Sequence, residues 1–168
     1  MILRGENTED TDERLAIRSI NEAAFGGQDE ADLVDSLRTE GVVLVSLVAA
    51  RGNRIVGHIL FSRMSIETTS GSIAAVALAP MAVLPGHQSR GIGGRLVRYG
   101  LDLLRRQGER IVIVVGHPGY YPRFGFSSEN TRALESPFPP DAFMAMELSP
   151  GALDGVRGKV GYPAAFRL

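Results

Sequence analysis

The chain has 168 residues, which suits one domain with one core, and 44% hydrophobic with 22% charged residues excludes intrinsic disorder. A formal net charge of −1 excludes a global field that would attract nucleic acid or an acidic membrane, so any anion site has to be local. The absence of cysteine excludes disulfides, thiolate metal ligands and a cysteine nucleophile.

The N-terminus and the longest apolar run indicate whether the protein is secreted or inserted in a membrane. The segment Met1 to Glu6 lacks a basic stretch followed by an apolar one, so no secretory signal is recognised and a cytoplasmic protein is expected. The run from Ile73 to Pro85 is shorter than the ~20 apolar residues that a membrane helix needs. We therefore predict a single domain over residues 1–168, with neither a membrane nor a nucleic acid as partner.

Two helices are predicted near the start of the chain. Residues Glu13 to Phe25 carry apolar side chains at roughly helical spacing, and Gly26 with Gly27 follows as a stop signal. Residues Glu30 to Thr39 repeat the pattern and end before Gly41.

Three strands are predicted to follow the helices. Val42 to Ala50 and Arg54 to Ile66 are rich in β-branched and aliphatic residues, and the Gly52-Asn53 step between them is typical of a hairpin turn. A polar connection is expected from Glu67 to Ser72. Ile73 to Leu84 is apolar on both faces, which predicts a central strand.

The clearest helix begins at Ile92. Its apolar positions step by four, three and four through Leu96, Tyr99 and Leu103, with arginines on the other side. Gly108 is placed to cap its C-terminal end.

The β-branched run from Arg110 to Val115 predicts a strand after this helix. Residues Ile73 to Val115 are therefore predicted to form a parallel β-α-β unit. Pro80 lies inside the preceding strand and cannot donate to a sheet ladder, so a bulge or splay is expected there. A late strand is predicted at Ala142 to Leu148, followed by an irregular glycine-rich tail. The fold class is therefore α/β with a mixed sheet.

The loop from Gly86 to Gly94 precedes the clearest helix, whose free backbone N–H groups form an anion site. A plain strand-to-helix turn, in which the glycines only relieve strain, is the alternative interpretation. An ATP-binding P-loop is disfavoured because Ile92-Gly93 stands where Lys-Ser or Lys-Thr is required. A dinucleotide fingerprint is disfavoured because Leu96 takes its third glycine position.

The stretch Gln88-Ser89-Arg90-Gly91-Ile92-Gly93, after a strand ending Leu78 to Pro85, resembles the coenzyme A signature of the GNAT N-acetyltransferase superfamily. The resemblance extends from about Val42 to Phe126. It implies a mostly antiparallel mixed sheet with a splayed central parallel strand pair, flanked by helices. It also implies acetyl-CoA as co-substrate, no metal, a small-molecule or peptide amine as acceptor, and a homodimer as found in many relatives.

The resemblance assigns residues to the cofactor by position. The pantetheine arm would pair with Met81, Ala82 and Val83, and the pyrophosphate would be lined by Gln88, Ser89, Arg90, Gly91, Gly93 and Gly94.

A second segment, Tyr120 to Phe126, is similar to a family stretch in which a tyrosine lies near the coenzyme A sulfur. Tyr121 matches that position, and a phenol with pKa ~10 can protonate a departing thiolate as general acid. The alternative is that both tyrosines only pack the loop. Gly116 to Gly119 departs from the family pattern, so the short helix expected there is shortened or distorted. With the closing Lys159 to Pro163, the chain resembles the branch of predicted bacterial acetyltransferases similar to YhbS.

The general base is not assigned by the sequence, because Ile73 to Leu84 carries no acidic residue. A water relay is one solution, and the candidate side chains are Glu30, His58, Glu67 and His117. The three histidines lack the spacing of metal ligands. The functional alternative to an N-acetyltransferase is a non-catalytic module that binds acyl-CoA and reports on it through a partner.

Overall fold

The computed structural model describes all residues from Met1 to Leu168, which form one eight-stranded sheet and three α-helices. The helices are α1 (Thr11–Phe25), α2 (Asp29–Glu40) and α3 (Ile92–Arg106). The strands are β1 (Ile2–Gly5), β2 (Val43–Arg51), β3 (Arg54–Thr68), β4 (Gly71–Val83), β5 (Ile111–Val115), β6 (Leu134–Glu135), β7 (Phe143–Glu147) and β8 (Gly158–Gly161). The predicted helices and strands are confirmed, whereas β1, β6 and β8 were not predicted.

The first two helices end where the sequence indicates. Gly26 and Gly41 take left-handed conformations, with φ of 75° and 77°, and their N–H groups close the last turns. Helix α1 begins two residues earlier than predicted because the Asp10 carboxylate accepts hydrogen bonds from the N–H groups of Asp12 and Glu13.

Strand β4 lies inside the sheet, between β3 and β5, in the order β1-β2-β3-β4-β5-β7. The β4–β5 pair is parallel and is connected by α3, as predicted, while β6 and β8 form a second, short parallel pair. The polar connection predicted from Glu67 to Ser72 is confirmed in position but is shorter than expected. These two residues face each other across a β3–β4 hairpin that closes between Thr68 and Gly71.

Strand β4 has a bulge at Pro80, as predicted. Ile59 of β3 faces Met81, whereas Phe61 faces Leu78, so two residues of β4 oppose one residue of β3. Parallel pairing with β5 ends at Leu78, opposite Val114. Strand β4 therefore continues past the end of β5 without a partner on that side.

Helix α3 packs against one face of the sheet, but its apolar stripe was predicted incorrectly. Tyr99 is 41% exposed and Leu103 is only partly buried. The buried positions are Ile92, Leu96, Val97, Gly100, Leu101 and Leu104. Gly100 is required there, because a β-carbon would overlap the ring of Phe61 on β3.

The opposite face of the sheet is covered by α1, α2 and the C-terminal segment. Ile17 and Val34 pack with Leu60 of β3, and the partly buried Phe166 joins this cluster. The two faces of the sheet therefore carry separate hydrophobic clusters. None of the three helices combines the length and apolar character needed to cross a membrane.

Candidate active site

A cavity of about 980 Å³ lies at the splay between β4 and β5. Its wall includes Gly93 and Arg98 of α3 on one side of the sheet, and Leu33 of α2 with Phe166 on the other side. A single space therefore connects the two faces of the sheet through the gap between the strands. Concave, mostly apolar spaces with a few polar groups are typical of ligand sites.

The glycine-rich loop shapes the cavity at the N-terminus of α3. Ser89 and Gly91 have positive φ, of 62° and 81°, and no side chain caps the first turn of the helix. The N–H groups there remain available to an anion. At Gly93 a β-carbon would lie 3.1 Å from the Tyr120 hydroxyl and 3.2 Å from Met81 Cε. The loop therefore places uncapped N–H groups beside a closely packed glycine at one end of the cavity.

Strand β4 offers backbone groups to the cavity beyond the bulge. The Leu84 N–H donates to the Val56 carbonyl at 2.9 Å, so by alternation Ala82 also faces β3, while Met81 and Val83 direct their backbone groups to the gap. The Gln88 side-chain amide donates to the Val83 carbonyl at 2.9 Å. Gln88 thus ties the loop to β4 in addition to lining the cavity.

Nine of the ten residues predicted for the site line this one cavity. Arg90 is the exception, because its exposed side chain lies outside the cavity wall. The nine are Met81, Ala82, Val83, Gln88, Ser89, Gly91, Gly93, Gly94 and Tyr121.

Tyr121 lies at the start of a short 3-10 turn, Tyr121–Phe124, which is the shortened helix predicted for this region. Its ring packs edge-on against Tyr120 and Phe126, with centroid distances of 5.1 and 5.9 Å. Burial raises the pKa of Tyr121 to about 12. The phenol is therefore protonated throughout the neutral range. The departure from the family pattern at Gly116 also has a structural reason, since a β-carbon there would overlap the Tyr121 ring.

Several residues at the glycine-loop end of the cavity were not identified as site residues from the sequence. The guanidinium of Arg123 lies 4.5 Å from the Tyr120 ring centroid, and that of Arg98 lies 4.9 Å from the Phe124 ring centroid. All four side chains line the cavity. Arg98 lies two helical turns beyond Gly91, so its helical spacing was the signal available in the sequence.

The four candidate bases fall into two groups. Glu30 and His117 line the cavity, whereas His58 and Glu67 do not. His58 is fully buried within the sheet, and its Nε2 lies 2.8 Å from the Ser46 hydroxyl. The carboxylate of Glu67 accepts hydrogen bonds from Ser65 and Ser72 at an exposed end of the sheet. Of these four candidates, only Glu30 and His117 therefore lie where they could exchange protons with a ligand in the cavity.

Comparison with known protein families connects this geometry to a function. The family model described as an acetyltransferase (GNAT) domain matches residues 7–128. The chain belongs to this GNAT acetyltransferase family. The predicted family is confirmed, and the match includes the splayed strand, the glycine loop and Tyr121.

Individual GNAT proteins agree with this assignment. YjhQ of Escherichia coli K12, an uncharacterized N-acetyltransferase, is 41% identical over 126 residues, covering 73% of this chain and 70% of YjhQ. The crystal structure of E. coli YhbS in complex with CoA is similar with a TM-score of 0.89 and 30% identity, covering 99% of this chain and 92% of that one. A GNAT acetyltransferase from Brucella melitensis in complex with acetyl-CoA has a TM-score of 0.81 and 35% identity, covering 98% of this chain and 97% of that one. The predicted GNAT fold and the resemblance to YhbS are confirmed.

Proposed function

We propose that this protein transfers an acetyl group from acetyl-CoA to a primary amine. The observation that carries the proposal is the splay of β4 from β5, which opens a cavity shared by the N-terminus of α3 and Tyr121. Two relatives bind CoA or acetyl-CoA in their crystal structures, which supports the same co-substrate here.

The cofactor would occupy the α3 side of the cavity. The free N–H groups after Gly91 would hold the pyrophosphate, and the outward Met81 carbonyl and Val83 N–H would pair with the pantetheine amides. Arg98 and Arg123 add positive charge at the same end. The co-substrate supplies an activated thioester, and the chain supplies its orientation.

Tyr121 would act on the departing sulfur. Because burial raises its pKa to about 12, the phenol keeps its proton and can donate a hydrogen bond as negative charge develops. Complete proton transfer costs about 1.4 kcal/mol for each unit by which the phenol pKa exceeds that of the thiol. We therefore assign Tyr121 a hydrogen bond that becomes a proton transfer only as the carbon–sulfur bond breaks.

The backbone N–H of Met81 is the proposed donor to the oxygen of the reacting carbonyl, since alternation along β4 leaves it facing the gap. The carbon–nitrogen bond forms as the carbon–sulfur bond breaks, and the sulfur takes the proton of Tyr121. An amine that binds as an ammonium ion loses one proton before it attacks and a second as the amide forms. One of these protons would pass through water to Glu30 or His117, the two titratable side chains of the cavity that were candidate bases, and the other would restore the phenol of Tyr121.

A non-catalytic acyl-CoA sensor is the second candidate function. Strand β4 carries no carboxylate along Gly71 to Val83, so no single base is built into the strand beside the splay. Tyr121→Phe separates the two candidates. An enzyme should lose about 100-fold or more in turnover while still binding acetyl-CoA, whereas a sensor has no turnover to lose.

Calorimetric titration with acetyl-CoA tests the proposed binding site. Gly93→Ala should weaken binding about tenfold or more, because its β-carbon would meet the Tyr120 hydroxyl and Met81. Gly86→Ala is the matched control, since a β-carbon at Gly86 meets no atom within 4 Å. Absence of binding by the folded wild-type protein would overturn the proposed function.

A further inference from the structure

The end of the cavity opposite the glycine loop has an aromatic wall. Phe138 follows β6, while Tyr162 and Phe166 belong to the C-terminal segment. Tyr162 lies between the other two, with ring centroid distances of 5.6 Å to Phe138 and 5.0 Å to Phe166. All three side chains are only partly buried and line the cavity, and apart from the Tyr162 hydroxyl, which is buried without a hydrogen-bond partner, they present apolar surface to a ligand.

Helix α2 and the end of α1 complete this wall. Leu33 of α2 packs in the same cluster as Phe166, and Phe25 remains 46% exposed beside the cavity. Exposing aromatic surface to water in a cavity costs free energy, and this free energy is recovered when an apolar ligand covers the surface. The wall therefore favours a ligand with an apolar body.

Glu30 is the only carboxylate in the cavity wall. Other acidic side chains of α2 have partners: Asp32 and Asp35 pair with Arg18 at 2.7 and 2.9 Å. Glu30 is half-buried and forms no salt bridge, and it precedes Leu33 by one helical turn on the same face. An unpaired carboxylate thus lies beside apolar surface.

The charges of the cavity are separated. Arg98 and Arg123 lie at the cofactor end, beside Phe124 and Tyr120, whereas Glu30 lies on α2 across the sheet. A ligand that fits the α2 end has one cationic group and few other polar groups. This arrangement is complementary to a monoamine on an apolar carbon skeleton.

We propose that the amine acceptor is a primary monoamine carried on an aromatic or branched aliphatic skeleton, with its ammonium group drawn to Glu30 and its body held by Leu33, Phe138 and Phe166. This inference rests on the proposed acetyl transfer. A polyamine or a polar aminosugar would leave several polar groups against the aromatic wall without partners, which costs binding free energy. A long acyl chain on the cofactor would cover the aromatic wall but leave Glu30 unpaired.

The test measures acetyl transfer from acetyl-CoA to 2-phenylethylamine, ethanolamine, spermidine and a short lysine peptide. We expect kcat/KM for 2-phenylethylamine to exceed that for each of the others by about tenfold or more, because only its phenyl group covers the wall. Calorimetric binding of 2-phenylethylamine in the presence of coenzyme A, which has no acetyl group to transfer, gives a second readout.

Two variants locate the amine. Phe166→Ala should raise KM for 2-phenylethylamine about tenfold and leave KM for acetyl-CoA unchanged. Glu30→Gln should weaken binding of 2-phenylethylamine about tenfold. Asp29→Asn is its control, because Asp29 is an exposed neighbour on α2 outside the cavity wall.

The outcomes separate this inference from the proposed function. Acetylation of spermidine, ethanolamine or the peptide at an equal or higher kcat/KM would overturn the inference and leave acetyl transfer standing. Binding of acetyl-CoA without transfer to any of the four amines would overturn it in favour of a sensor. Tighter binding of hexanoyl-CoA than of acetyl-CoA, lost in Phe166→Ala, would overturn it by assigning the wall to the acyl chain. Failure to bind acetyl-CoA at all would overturn the proposed function itself.

Discussion

Gly116 and Tyr121 are in such close contact that a β-carbon on residue 116 would overlap Cε2 of the tyrosine ring and lie 2.9 Å from Cδ2. The absence of a side chain at Gly116 therefore helps to fix the position of the phenol. We predict that Gly116→Ala displaces Tyr121 and lowers kcat by at least about tenfold, with KM for acetyl-CoA nearly unchanged. Steady-state kinetics with varied acetyl-CoA measures both constants.

Gly119→Ala is the control for this substitution, because a β-carbon there meets no atom within 4 Å. It should retain nearly full kcat. An equal loss in both variants would mean that stiffening of the loop, and not the position of the Tyr121 ring, limits turnover.

The pKa of Tyr121 leads to a prediction for the alkaline side of the pH profile. Burial raises this pKa to about 12, and the protonated form, which is the active form of a general acid, persists below that value. Turnover by the wild-type protein should therefore not fall between about pH 7 and pH 10 through ionisation of Tyr121. The kcat profile of Tyr121→Phe should be lower by a nearly constant factor. A descending limb near about pH 9 that disappears in Tyr121→Phe would contradict this assignment.

The parts of the fold that local sequence determines were predicted from the sequence. The bulge at Pro80 follows from its missing N–H, and the ends of α1 and α2 follow from Gly26 and Gly41. The glycine loop was identified because its motif is continuous in the chain. Tyr99 was wrongly placed in the buried stripe of α3 because apolar side chains occur on more than one face of this helix. Only packing against the sheet selects which face is buried.

At the α2 end of the cavity, the sequence indicated Glu30 as a candidate base but did not identify the aromatic side chains around it. Glu30, Phe138 and Phe166 come from three distant segments, and none of them belongs to a continuous motif. The C-terminal segment reaches the site because β8 pairs with β3 at residues 65–67, a contact between strands far apart in the chain. Pairing at such long range is set by the whole fold and leaves no local pattern.

His58 predicts how stability depends on pH. Ser46 donates to Glu6 at 2.6 Å, so its oxygen accepts the Nε2 proton of a neutral His58, and the buried Nδ1 has no partner. Burial lowers the pKa of His58 from 6.5 to about 3, even though a Glu6 oxygen lies 4.0 Å away. Between these two pH values the unfolded chain binds a proton that the folded chain excludes. The free energy of unfolding should therefore decrease as pH falls below about 6.5, by up to about 1.4 kcal/mol per pH unit.

Urea denaturation at about pH 7.5 and pH 5.5 measures this decrease. Because His58→Gln cannot titrate at this position, its unfolding free energy should fall by about 1.4 kcal/mol less than that of the wild type between the two pH values. His117→Gln, which changes an exposed position, should lose as much unfolding free energy as the wild type. Proton NMR of the wild-type ring provides a test that needs no variant. Protonation of His58 in the folded protein near about pH 6 would contradict the prediction.

Glu40 at the end of α2 fixes the C-terminal segment that carries Phe166. Its carboxylate accepts the N–H groups of Ala164 and Ala165, at 3.2 and 2.8 Å. Glu40→Ala should loosen this turn and raise KM for the amine several-fold, since the aromatic wall is held less firmly, while KM for acetyl-CoA stays constant. Glu40→Gln keeps an acceptor oxygen and should recover most of the loss. An equal rise of both KM values in Glu40→Ala would indicate a general loss of structure, and no rise of either would show that the turn is held without Glu40.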